Sequence, residues 1–156
     1  MRTITRLASG AAALTLAATA FGGIATGSPT GGAPILQAPV AGSLPTDPAL
    51  FGATPGGAPW TLDNGSLTLR ADGRLDVKVV DLIIPTRGDN PLPQLSASVV
   101  CSGAIVATTA PVPFSTDGDA RIRTKLTLPE RCLAPAVLIH PNANTAVFIG
   151  ATGTEA

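Results

Sequence analysis

From Trp60 onward, apolar and polar residues alternate with a period of two, the pattern of strands that bury one face. Residues 66–70 form a short run of this kind after Asp63-Asn64-Gly65, whose tolerance of positive φ predicts a tight type I′ turn. Ala71-Asp72-Gly73 is a second turn. In 74–82, Leu75, Val77 and Val79 share one face and Arg74, Asp76 and Lys78 the other. The apolar phase then moves to Val80, Leu82 and Ile84, which predicts a β-bulge. Residues 94–102 place Leu95, Ala97, Val99 and Cys101 together, and 104–110 follow after Gly103. The cleanest alternation is 121–128, with Ile122, Leu126 and Leu128 opposed to Arg121, Arg123 and Lys125. Residues 136–140 and 146–150 flank Pro141-Asn142-Ala143-Asn144, a last hairpin. No stretch after residue 27 has a helical period. About seven short strands between Gly, Pro, Asn and Asp turns predict an all-β fold, an Ig-like antiparallel β-sandwich, with a small β-barrel as the alternative.

The first 59 residues read differently. Arg2 and Arg6 precede an apolar stretch, 7–21, that ends in the small residues Ala18-Thr19-Ala20. The stretch is short for a membrane span and diluted by Ser9, Gly10, Thr15 and Thr19, so 1–20 is expected to be a cleaved signal peptide. Between residues 27 and 59, seven prolines (Pro29, Pro34, Pro39, Pro45, Pro48, Pro55, Pro59) each remove a ladder donor. Apolar residues there look scattered. Residues 21–59 are therefore expected to be a disordered Gly/Pro-rich tether, and 60–156 the folded domain.

Charge narrows the functional classes. The chain holds 10 Lys+Arg and 10 Asp+Glu. Removing Arg2 and Arg6 leaves eight basic groups against ten acidic ones, which gives no electrostatic reason to bind nucleic acid. No Cys near the cleavage region offers a lipid attachment point, and no second apolar span supplies a membrane anchor. The expected location is secreted and extracellular. In such a compartment an exported chain with two cysteines is expected to pair them, Cys101 with Cys132.

Catalytic constellations are thin. His140 is the sole histidine, read as a strand-end residue facing water, and no Gly-x-Ser-x-Gly motif accompanies it. One His and two paired Cys cannot assemble a zinc site. Asp117-Gly118-Asp119 has the spacing of some calcium loops but is also favoured turn chemistry. The expectation is no enzyme, no metal and no cofactor, with a hydrolase of unrecognised site as the alternative.

Two surfaces remain as binding candidates. Arg87-Gly88-Asp89 resembles the integrin-binding tripeptide in a loop framed by Pro85, Pro91 and Pro93, and is equally good turn chemistry. Arg121, Arg123 and Lys125 form a basic row that could contact an anionic polymer such as a wall teichoic acid. It could equally be a solvated edge whose charges discourage sheet-to-sheet pairing or meet acids on a neighbouring strand. Asn64-Gly65-Ser66 matches the glycosylation sequon and is read as the hairpin turn.

Gly73-Arg74-Leu75-Asp76-Val77, Asp89-Asn90-Pro91, the Cys101 strand, Gly118-Asp119-Ala120-Arg121-Ile122, and Leu128-Pro129-Glu130-Arg131-Cys132 with Ala134-Pro135 together resemble small secreted β-sandwich proteins of high-GC Gram-positive bacteria. An excess of Arg over Lys and abundant Ala, Gly, Pro and Thr agree. The resemblance implies compartment and fold, and no activity. The whole reading is of a secreted, non-catalytic module that binds a cell-wall polymer or extracellular protein, or has a structural role.

Mass spectrometry of culture supernatant is expected to find a mature N-terminus near Phe21. An uncleaved chain held in the membrane fraction contradicts the signal reading.

Overall fold

The computed structural model describes residues 32–154, and among these there is no helix. Eleven strands follow in order: β1 (Pro34–Gly42), β2 (Thr54–Pro55), β3 (Asn64–Arg70), β4 (Arg74–Val80), β5 (Gln94–Cys101), β6 (Ala104–Thr108), β7 (Val112–Pro113), β8 (Ala120–Lys125), β9 (Ala136–Pro141), β10 (Val147–Phe148) and β11 (Gly150–Thr152). Nine of them make one curled antiparallel sheet in the order β6-β5-β9-β11-β1-β3-β4-β8, with β7 also on β5. β10 and β2 pair in parallel as a small second sheet. The all-β antiparallel architecture is the one the alternation predicts. The predicted signal segment 1–20 lies outside the described residues.

The tether expectation needs correcting from residue 32 onward. β1 runs through it and joins the two halves of the curled sheet, pairing with β3 through Pro34 to Pro39 and with β11 through Val40 to Gly42. A strand paired on one side at a time has positions where a missing proline N–H costs nothing. Leu36, Ala38 and Val40 alternate toward the core and Gln37 and Pro39 away from it. Gly65 permits the close approach: a Cβ there would lie 2.7 Å from Val40 Cβ and 2.5 Å from Leu62 Cδ1. Asn64 and Gly65 are therefore not a hairpin turn but the start of β3, opposite Val80 and Val79.

The inner faces of the curled sheet enclose the main core, built on Trp60, Leu67, Leu69, Leu75, Val77, Leu95, Val99, Ile122 and Ile139. The remainder of the proline-rich segment forms a strap over the other side of β5 and β9. There Ala53, Val100, Leu138 and Phe148 make a second, smaller core. Ser43, itself buried, donates its N–H to Ile149 O and its hydroxyl to Phe148 O; Gly56 N–H also donates to Phe148 O. All of β5 after Gln94 is consequently buried on both faces.

Two local irregularities interrupt the ladders. After Val79, which faces Ala120, Leu82 N–H reaches Gly118 O, so Val80 and Asp81 oppose Asp119 alone; this is the expected bulge, with Asp81 at φ 58°, and it shifts the apolar phase to Leu82 and Ile84. A second bulge lies in the β5–β6 ladder, where Val99 faces Ala107 and Val100 faces Ile105.

Cys101 and Cys132 form a disulfide with Cα atoms 4.7 Å apart. It fastens the strandless crossover from β8 to β9 onto the end of β5, beside the 2.7 Å bond from Ser102 N–H to Leu133 O. Closing a loop of this length contributes about 3–4 kcal/mol in the chain-entropy treatment. Cys132→Ala is expected to lower Tm by about 10 °C or more, read by differential scanning calorimetry. A shift below about 2 °C would show the crossover held by other contacts.

Candidate anion-binding face

On the outward face of β3, β4 and β8, alternation turns every second side chain to solvent. The register sets Arg74 opposite Lys125, Asp76 opposite Arg123, and Lys78 opposite Arg121, with Ser66 and Thr68 opposite Lys78 and Asp76 on the other flank. Arg70 ends β3 and lines the same shallow trough of about 560 Å³. Six of the eight Lys and Arg among the described residues thus stand on one face, while seven of the nine described acids lie elsewhere. A chain with no net charge is strongly polarised.

The sequence reading named Arg121, Arg123 and Lys125, and the structure brings them together as a row. The pattern on β8 alone does not include Arg70, Arg74 and Lys78. Arg74 and Lys78 alternate visibly on their own strand, but nothing local says that β4 lies beside β8, some 45 residues away.

Asp76 organises the middle of the face. Arg121 donates to it through Nε at 3.1 Å and Nη2 at 2.8 Å, and Arg123 through Nε at 3.1 Å. The bond from Arg121, with a further one from Arg123, holds the Asp76 carboxyl below its ordinary value despite partial burial. One carboxylate answers two guanidiniums, so an acid does sit opposite the row but only partly offsets it. Lys78 and Lys125 make no ion pair among the described residues. Arg74 meets Asp72 at 3.3 Å. Two like-charged cross-strand pairs remain, Arg74/Lys125 and Lys78/Arg121, an arrangement that costs stability in the free protein.

The Arg87-Gly88-Asp89 loop is built differently. Arg87 and Gly88 both donate their N–H to Ile84 O, and Gly88 takes φ 76°. Arg87 Nε then closes on Asp89 Oδ1 at 2.9 Å. The two charges face one another across a tight turn instead of being presented apart. Asn90 pins this loop: it is 2% exposed, its amide donates to Leu92 O and Ser115 O, and its carbonyl accepts from Leu92 N–H. In the neighbouring turn, Gly118 has φ 82° and Asp119 Oδ1 accepts from Asp81 N–H.

His140 is a correction. It is fully buried beneath the strap, not facing water. Its Nδ1 lies 2.6 Å from Val147 O, which can only accept, so Nδ1 carries the proton. Nε2 then accepts from Ser98 Oγ at 2.9 Å, and Ser98 accepts in turn from Thr108 at 2.8 Å. The chain of bonds ties β10, β9, β5 and β6 together. This serine–histidine contact is closed to solvent, since Ser98 is also fully buried.

No protein-family model matches this sequence, and neither a curated protein nor a solved structure matches it.

Burial holds the His140 imidazole below its ordinary value, although its bond to Val147 works the other way. The unfolded chain therefore takes up this proton first. Stability from this residue is complete above about pH 6.5 and is lost as pH falls from there toward the lower folded value. Urea midpoints measured between pH 7.5 and 5 are expected to fall, with a shallower fall in His140→Gln. Parallel pH curves for the two proteins would remove His140 as the cause.

Proposed function

We propose that this is an exported, non-catalytic binding module that holds an anionic ligand on the β3–β4–β8 face. The observation that carries the proposal is the crowding of six cations along one face, around Asp76 and Asp72, on an otherwise acid-rich surface. Opposite-charge pairing would serve solubility equally well. Like-charged pairs at two positions across the β4–β8 ladder are instead relieved when an anion arrives. Arg forks held by a carboxylate are pre-oriented, so less side-chain entropy is lost on binding. Export is supported by the basic and apolar N-terminal sequence and by a disulfide, which persists in oxidising compartments.

Retention on an immobilised anionic polymer at low salt tests the proposal. Binding is expected to weaken steeply as salt rises, because exposed charges are screened over about 10 Å at 0.1 M. Arg74→Ser/Lys78→Ser/Lys125→Ser is expected to lose retention while its Tm stays level or rises. Equal retention of wild type and triple variant, or none of the wild type at any salt, overturns it. Arg87→Ala is the control for the loop and is expected to bind as the wild type does.

A further inference from the structure

The cations of this face fall into two groups. Lys78, Arg121 and Arg123 surround Asp76, and Arg70, Arg74 and Lys125 stand at the β3–β4 hairpin end with Asp72. Each group has three positive charges to one negative. Lys78 and Arg74, the outer members of the two groups, are four residues apart on one strand, so at about 3.3 Å per residue the cations span about 13 Å along β4. The line between them follows β4, with Asp76 and Arg123 paired at its midpoint. A compact anion seated at one end of this span leaves the cations at the other end unrelieved.

Resting on the anion-binding reading above, we propose that the ligand is a linear polymer bearing tetrahedral oxyanions, phosphate or sulfate, lying along β4 and β8 and spanning both groups. Adjoining phosphates with two free oxygens each, or a sulfate ester with three, supply acceptors to three cations at one site, which a single two-oxygen carboxylate does not. The trough is lined by Arg, Lys, Ser, Thr, Asp and Leu, with no aromatic ring on which a nucleobase would stack. A polymer without bases is therefore the occupant. Once one group is engaged, the second binds its stretch of the same chain at high effective concentration, so affinity must depend on length.

The experiment compares tripolyphosphate with long-chain inorganic polyphosphate at equal total phosphate, using calorimetry on the disulfide-bonded protein. Long chains are expected to bind at least about tenfold more tightly per phosphate. Lys78→Ser and Lys125→Ser, one from each group, are each expected to abolish that length advantage, with folding verified by near-UV circular dichroism. Equal affinity per phosphate, or loss confined to one of the two variants, overturns the spanning ligand and leaves the anion-binding reading standing. No binding of either probe takes both down. Dextran sulfate is expected to show the same length dependence, and its rank against polyphosphate identifies the source of the oxyanion. Tighter binding of polyglutamate, or of a single-stranded oligonucleotide with the same number of phosphates, overturns the assignment of ligand class.

Discussion

The fold depends on β1 changing partners at Pro39 and Val40. Before that point the strand pairs with β3, and after it with β11. Through this exchange the β3–β4–β8 half and the β6–β5–β9–β11 half become one curled sheet around a shared core. The exchange needs close backbone approach. A Cβ on Gly42 would collide with the Trp60 carbonyl, and one on Gly65 with Val40. Trp60, whose carbonyl makes that approach to Gly42, is almost wholly buried in the shared core. Small residues at the crossing and one large ring beside it are two parts of the same packing solution.

Burial on the two halves is unequal. β3, β4 and β8 have one face in the core and one in solvent, and their sequences alternate cleanly as a result. β5 and β9 are covered on both faces, by the main core and by the strap. Their second face is small and polar as well as apolar: Ser98 and His140 satisfy each other, while the buried Ser96 hydroxyl beside them has no hydrogen-bond partner among the described residues. The half that stays wet on one side is therefore the half that carries the charge.

Strands whose outer face meets water were legible because solvent enforces the period of two. β1 was hidden because prolines and glycines dominate its neighbourhood. The signal was present in Leu36, Ala38 and Val40, but two of these are modest side chains, Pro34 opens the strand and Pro39 interrupts the run. Asn64-Gly65 misled for a related reason: a pair that suits a turn also suits a strand that another backbone must approach. His140 stands at the end of an apolar run, and only the strap, from residues read as a tether, removes it from water. For the site, the β8 row could be seen on its own strand. Its extension to Arg70, Arg74 and Lys78 requires the β4–β8 pairing, a contact between distant segments that no local pattern encodes.

The disulfide has a topological consequence. Cys101 and Cys132 close a covalent ring that contains β6, β7 and β8. A single protease cut in the exposed turn at Asp117 opens that ring without dividing the molecule in two. β8 remains attached through its own disulfide-bonded end and through its ladder with β4. Three of the six cations thus belong to a segment that such a nick cannot release, so the face would outlast the cut for as long as the disulfide stays oxidised.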